Sequence, residues 1–428
     1  MRSLVFVTCL YIAHALPFIH REATTDEPPR DPDIDRNASQ LIRNRGYPVE
    51  EHYVTTSDGF ILNLQRIPHG RNELREGSGR KPVVFLQHGL LMDSTNWVLN
   101  SPHDSLGYIL ADKGFDVWLG NIRGNEYSAA HVKWNKDSSK FWDWTWQQMA
   151  QYDLPAMIDY VTLATSQSQV FYVGHSQGTL IGFTGFSANQ ELAKKIKMFF
   201  ALAPVYTVAH VSEFIKASAY ALFPVTHIFQ NHVSEEFVPS KLTKMMSDAG
   251  VCSRAKSEEL CYKTGETLFG FDSSNLNMSR VPVIMSHWGS GTSFKNMVHF
   301  GQMVTSGKCQ KYNYGYFYNW MKYGQIDPPH YRVKDMDVPT VLFSGSHDTL
   351  ADPLDVGELK PRIQNLVHSE EIPGWNHADF LFGMDAERLL YRKIVKMMFK
   401  RIREDNVPQP IDGNDFIASF LGWNKIKN

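Results

Sequence analysis

"QVFYVGHSQGTLIGFTGFSA", residues 169–188, decides the fold. A β-branched and aromatic run, Val170 to Val173, meets a Gly-His-Ser-Gln-Gly turn and continues into an apolar helical stretch, so strand passes to helix through one serine. A G-x-S-x-G match alone is weak: with glycine near 7% and serine about as common, it arises by chance in roughly one chain of this length in seven. The setting sharpens it. A strained strand-to-helix turn brings neighbouring backbone so close that side chains at positions 174 and 178 would clash, which accounts for Gly174 and Gly178 around Ser176. The helix that follows points its first amides at any developing negative charge. Ser176 is therefore the candidate nucleophile, and an ordinary glycine turn is the bland alternative.

Working outward, "EEHYVTTSDGFILNLQRIP" holds Asp58-Gly59 between two alternating runs, the mark of a hairpin at a sheet edge. "KPVVFLQHGL" and "GFDVWLGNIRG" are continuous apolar runs ending in glycine and polar loops, as buried parallel strands do, with the helical "DSLGYILADKG" between them. Strand, helix, strand implies an α/β class with a parallel sheet. "FWDWTWQQMAQYDLPAMIDYVTLATSQS" reads as one helix kinked at Pro155 or as two short ones, and its tryptophans as packing. The unit recurs at "IKMFFALAPV". From residue 207 to 331 the alternation stops, giving apolar helical pieces and the aromatic run "YNYGYFYNWMKYG", which looks like an insertion over the core. Strand signals return at "DVPTVLFSGSHDTLADP" and "NLVHSEEIPGWNHADF", followed by an amphipathic helix from about Ala386 to Arg401.

The 428 residues, 43% hydrophobic and 21% charged, suffice for a large core, and the net charge of -2 gives no general electrostatic reason to expect a nucleic-acid partner or an anionic membrane surface. Arg2 before the apolar Leu4–Ala13 stretch, then Ala13-His14-Ala15, read as a signal peptide over residues 1–15. That stretch is too short to span a bilayer and no later one reaches about 18 apolar residues, so no transmembrane segment is expected. Once Cys9 leaves with the signal peptide, Cys252 and Cys261 enclose a short loop suited to a disulfide in an oxidising compartment, and Cys309 reads as a buried free thiol. Asn37 and Asn277 head two sequons and are glycosylation candidates.

A serine hydroxyl needs a base to take its proton and a carboxylate to orient that base. In the order Ser, acid, His, Asp348 lies a few residues past a strand signal, and His377 is the last histidine of the chain, after the last strand signal. Asp352 and Asp355 read as cap residues of the next helix; His347 adjoins the acid, and His368 falls in a strand. The oxyanion of a tetrahedral intermediate needs two amides: Gln177, through its backbone, and Leu90 after the earlier strand, with Leu91 next. On this reading His175 is only the variable position of the elbow, and the Gln177 side chain matters less than its place.

"VFLQHGLLMDSTNWV", "LADKGFDVWLGNIRGNEYS", "YDLPAMIDYV", "YVGHSQGTLIGF", "VCSRAKSEELC", "GFDSSNLNMSR", "GTSFKNMVH", "DTLADPLDVG" and "EIPGWNHADF", in this order, resemble the animal acid lipases, the group of gastric and lysosomal acid lipase, from about residue 40 to about 400. The resemblance implies an α/β-hydrolase fold: residues 40–206 as the first part of the core, a mainly helical cap and lid at 207–331, and the rest of the core at 332–403. A polar segment at 16–39 precedes it, and a tail at 404–428 has no assigned role. It implies Ser176, Asp348 and His377 as the triad, Leu90 and Gln177 as oxyanion amides, and a Cys252–Cys261 bridge. It departs at Phe269, where some members have a cysteine, at Cys309, and at Ala378, where leucine is usual. The expected function is hydrolysis of triacylglycerol or cholesteryl ester at acidic pH, without metal or cofactor, by a monomer acting at a lipid-water interface, lysosomal or secreted. A base histidine of ordinary pKa, about 6.5, is only about 3% neutral at pH 5, so acid work demands a site that favours neutral imidazole. A secreted neutral esterase or phospholipase is the alternative enzyme, and a silent lipid-binding carrier the alternative outside catalysis.

Overall fold

The computed structural model describes residues 30–72, 80–220, 235–237, 263, 265, 266, 270, 271 and 274–406. The expected signal peptide, Cys252, Cys261, Phe269 and most of the tail lie outside the described residues.

The central sheet is built where the apolar runs predict it. β1 (Glu50–Thr55) and β2 (Phe60–Ile67) form the antiparallel hairpin, turning at Gly59, whose φ of 101° suits glycine. β3 (Val83–Gln87), β4 (Asp116–Gly120), β6 (Val170–His175), β7 (Ile196–Leu202), β10 (Thr340–Gly345) and β11 (Leu366–Ile372) are parallel, in the order β1-β2-β4-β3-β6-β7-β10-β11; β5 (Ala130–His131) pairs with β2. Helices cover both faces, so every residue of β3, β4 and β6 is buried. The edges differ: β1 and β11 carry Glu50, Glu51, Glu370 and Glu371, charges that discourage pairing with another chain.

α1 (Ala38–Asn44) leads into the hairpin, capped by Asn37, whose side chain accepts from the Gln40 amide. α2 (Leu106–Asp112) crosses between β3 and β4. The tryptophan-rich segment settles the choice between kink and break in a third way. Trp146–Gln148 is helical, Met149–Asp153 forms a π turn, and α3 (Leu154–Thr165) continues directly from it, with Pro155 just past the widened turn. Trp142, Trp144 and Trp146 are buried, as expected of packing residues. α4 (Gln177–Ala188) follows β6 and is buried on every side except its last residue.

β7 and β10 pair in register, Thr340 opposite Phe199, although residues 203–339 separate them in sequence. That stretch leaves and re-enters the sheet between neighbours. Its described residues include a two-stranded sheet, β8 (Glu236–Phe237) with β9 (Thr292–Ser293), and the helices α5 (Val281–Ser286), α6 (Phe294–Ser306) and α7 (Tyr316–Tyr323). α8 (Pro353–Leu359) and α9 (Arg392–Asn406) belong to the C-terminal part, α9 preceded by a π turn at Glu387–Tyr391.

Candidate active site

β6 ends buried, and the chain turns into α4 at Ser176 with φ 53° and ψ -120°. A non-glycine residue in such a region costs about 1–3 kcal/mol and persists only where its surroundings impose it. Here they do: the Ser176 amide donates to Leu202 O at 3.1 Å, and the Thr179 amide and hydroxyl both donate to Ser176 O, at 2.8 and 2.6 Å. A Cβ on Gly178 would stand 2.4 Å from Gln87 O, and one on Gly174 2.8 Å from the Gly178 carbonyl carbon. Both glycines are steric necessities. Ser176 itself stays partly exposed.

The loop after β3 passes directly over the elbow, since a Cβ on Gly89 would lie 3.0 Å from Ser176 Cβ. His88, fully buried, sets the direction of the next peptide. Its Nε2 accepts from the Ile122 amide at 3.3 Å, so Nδ1 carries the proton and donates to Gly89 O at 2.9 Å. The Gly89 carbonyl and the Leu90 amide share one peptide plane and point oppositely, so this bond turns the Leu90 N–H away from His88. Burial pushes the His88 pKa down to about 4, with the Gly89 carbonyl and Asp93 opposing. Leu91, the second choice for this amide, has φ 58° and accepts from the Gly289 amide at 3.1 Å. As the first residue of α4, Gln177 has an amide that the helix leaves without an acceptor.

Asp348 and His377 meet across the loops after β10 and β11. Both carboxylate oxygens approach His377 Nδ1, at 2.9 and 3.0 Å, and one also accepts from the Leu350 and Ala351 amides at 2.9 and 2.8 Å. Burial opposes ionisation of Asp348, yet the His377 ring and the two amides hold its pKa below the ordinary carboxylate value. The loops are stitched together, His347 donating through its amide to Trp375 O at 3.0 Å. A Cβ on Gly345 would lie 2.3 Å from that carbonyl.

Two residues next to the serine differ from the sequence reading. His175 is more than a variable position: it is buried, its ring lies 4.9 Å from that of His377, and its Nε2 donates to His377 O at 3.0 Å. Burial, reinforced by the His377 ring, pushes its pKa down to about 3. The Gln177 side chain is also engaged, its Oε1 accepting from Asn296 Nδ2 at 2.8 Å. Asn296, on α6, is fully buried and accepts from the Trp146 amide at 2.7 Å. "GTSFKNMVH" thus becomes a polar seam. His299 pairs with Thr145 Oγ1 and Gln310 O, both at 3.0 Å, and stacks on Trp146, while Lys295 pairs with Asp143 at 2.5 Å. Polar residues at 292, 293, 295, 296 and 299 in an otherwise apolar stretch were the available signal.

Among the rivals, Asp352 caps α8 as expected, accepting from the Leu354 amide. Asp355 does not act as a cap: it is buried and accepts from Thr207 Oγ1 at 2.7 Å and from the amides of Ala209 and His210 at 3.2 and 2.8 Å, holding the chain where it leaves the sheet. His347 is exposed, and His368 lies half-buried beside Glu370. Sequence reasoning also missed a buried charge network: Arg123 donates to Asp153 at 2.6 and 2.8 Å and to Asp58 at 2.7 and 2.9 Å, tying the π turn to the hairpin. Cys309 is a buried free thiol whose pKa burial pushes well up. Asn37 and Asn277 are exposed, each at a helix N-cap.

Sheet order, elbow and loop placement define an α/β-hydrolase, and residues 82–384 match the family described as "alpha/beta hydrolase fold", with residues 38–101 matching "Partial alpha/beta-hydrolase lipase region". The chain is 46% identical to gastric triacylglycerol lipase of Mus musculus over 372 residues, 86% of this chain and 93% of that protein. It is 46% identical to lysosomal acid lipase/cholesteryl ester hydrolase of Homo sapiens over 403 residues, 94% of this chain and 99% of that protein. The chain belongs to the acid lipase family. Among solved structures it is similar to a soluble variant of monoglyceride lipase from Saccharomyces cerevisiae in complex with a substrate analog, with TM-score 0.53 and 14% identity, covering 88% of this chain and 99% of that one, a likeness of fold alone.

Proposed function

We propose that the protein hydrolyses triacylglycerol or cholesteryl ester through an acyl-enzyme on Ser176. His377 takes the serine proton and passes it to the leaving alcohol, water then releases the fatty acid, and ionised Asp348 orients the ring throughout. The amides of Leu90 and Gln177 receive the oxyanion. The observation that carries the reading is the Asp348–His377 pair, brought against the strained elbow by the His175 bond to His377 O. The substrate choice follows the relatives' names, gastric triacylglycerol lipase and lysosomal acid lipase/cholesteryl ester hydrolase. Acid operation agrees with His175, which stays neutral down to about pH 3 and so adds no second positive charge beside the base.

In this reading residues 207–331 form a cap over the site, Asn37 and Asn277 carry glycans, Cys252 and Cys261 are bridged, and the protein works as a monomer in the lysosome or outside the cell. Among the described residues no helix is long and apolar enough to cross a membrane. The test is Ser176→Ala on emulsified trioleoylglycerol and cholesteryl oleate at pH 5 and 7.5. Turnover should vanish while thermal stability holds, and an active variant would refute the assignment. Asp348→Asn should retain Ser176 but lose on the order of 10⁴ in kcat.

A further inference from the structure

"YNYGYFYNWMKYG", residues 312–324, is the one conspicuous stretch that the proposed chemistry does not use. Its helix, α7, has inverted polarity. A surface helix ordinarily buries its apolar stripe and shows polar residues to water. On α7, Tyr316, Phe317, Tyr318, Trp320 and Met321 are 76%, 66%, 50%, 61% and 63% exposed, and the buried residue is Asn319. The arrangement is held in place rather than loose. Asn319 Oδ1 accepts from the Tyr314 amide, and its Nδ2 donates to Asn313 Oδ1 and Ile326 O, all at 2.8 Å. Gly315 and Gly324 close the ends at φ 85° and 71°. Gln302 of α6 ties the base to the seam by two bonds to the Asn313 backbone, both 2.9 Å. Asn319 and the partly buried Tyr323, which packs against Tyr312 and Tyr314, anchor the helix inward, and Tyr316, Phe317, Tyr318 and Trp320 are left facing out.

A dense exposed apolar patch marks a binding surface. Charge selects its partner. Residues 273–326 contain no aspartate or glutamate, in a chain whose net charge is -2, and Lys308, Lys311 and Lys322 stand close to the helix in sequence against the single exposed Asp327 that follows it. A second copy would bring two basic rims together and repel. Trp, Tyr and Phe beside lysines are the residue types of a membrane-water boundary, where aromatic bodies enter the headgroup layer and ammonium groups meet anionic charge. We propose that α7 anchors the protein on an anionic lipid surface through Tyr316, Phe317, Trp320 and Met321, with Lys308, Lys311 and Lys322 supplying charge complementarity. The inference takes from the family only that lipid is the partner, and it is independent of which residues perform the hydrolysis.

The test is co-sedimentation of the full chain with diether phosphatidylcholine vesicles, with and without one-third diether phosphatidylglycerol, lipids that have no carboxylic ester to cleave. The parent should favour the anionic vesicles about tenfold or more, less so at high salt, since each basic residue near such a surface contributes on the order of a fivefold increase in binding. Trp320 is the exposed tryptophan among the described residues, and its emission should shift to the blue on binding. The combined substitutions Tyr316→Ser, Phe317→Ser, Trp320→Ser and Met321→Ser should abolish binding with the melting temperature and turnover of a soluble short-chain ester unchanged. Trp320→Ser alone serves if that variant is unstable. Equal binding by parent and variant would overturn the proposal, as would a parent that ignores both vesicles. A parent dimer in gel filtration that the substitutions dissociate would also overturn it, by showing the patch covered by a second copy. A parent that binds the anionic vesicles but turns over no ester would count against the catalytic reading alone.

Discussion

Replacing His299 with glutamine should weaken the acid sensitivity of the fold by an amount the structure sets. His88, His175 and His299 are wholly buried, and burial is the leading cause that pushes their pKa values down to about 4, 3 and 3. Each stays neutral in the native state well below the pH at which an unfolded imidazole, with pKa near 6.5, takes up its proton. The sign follows from proton counting. Between about pH 6.5 and the folded values the unfolded chain binds more protons, so stability is fully present above that window and is lost as pH falls through it, by roughly 1.4 kcal/mol per pH unit and site. From pH 7.5 to 5 this comes to about 2 kcal/mol per histidine, or about 6 kcal/mol for the three. In His299→Gln the amide can still donate to Gln310 O, as the ring does at 3.0 Å, although the stack on Trp146 is lost. The variant should be less stable than the parent at pH 7.5 yet lose about 2 kcal/mol less on going to pH 5, because one titrating site is gone. Urea unfolding midpoints and slopes at the two pH values measure this. Equal pH dependence in parent and variant would refute the reasoning, since it would mean that His299 is protonated in the native state or neutral in both states.

Two further outcomes follow from the buried polar contacts. Asp153→Ala leaves the Arg123 guanidinium buried with Asp58 as its remaining carboxylate partner, and should cost about 3–5 kcal/mol in urea unfolding at neutral pH; a cost under about 1 kcal/mol would show that the network contributes little. Gln177→Met and Asn296→Leu each break the 2.8 Å bond between the elbow and α6, so their effects on kcat should overlap, with a coupling of about 1 kcal/mol in a double-mutant cycle; strictly additive effects would show that the bond does not position the amide proposed for the oxyanion.

Much of the fold and of the candidate site was legible because its signals are local. The hairpin at Asp58-Gly59, the continuous apolar runs of β3, β4 and β6, and the glycines around Ser176 express backbone and burial demands that act within a few residues. Chain order then singled out Asp348 and His377, which the structure joins at 2.9 Å. Where reasoning along the chain fell short, the cause was a partner far away in sequence. His175 and Gln177 looked passive because His377 lies 202 residues from the first and Asn296 lies 119 from the second. Asp355 looked like a cap because nothing near it shows that the segment at Thr207–His210 needs an acceptor.

The amino-acid sequence by itself determined the alternation of strands and helices, the serine elbow, and the order of the three candidate catalytic residues, because periodicity and steric exclusion are properties of short segments. Tertiary structure alone decided that β4 lies between β2 and β3, that "GTSFKNMVH" forms a polar seam reaching the elbow, and that α7 buries its asparagine and shows Tyr316, Phe317, Tyr318 and Trp320 to solvent. Those outcomes depend on which groups meet across the fold, where a buried donor or acceptor must find its partner regardless of the distance along the chain.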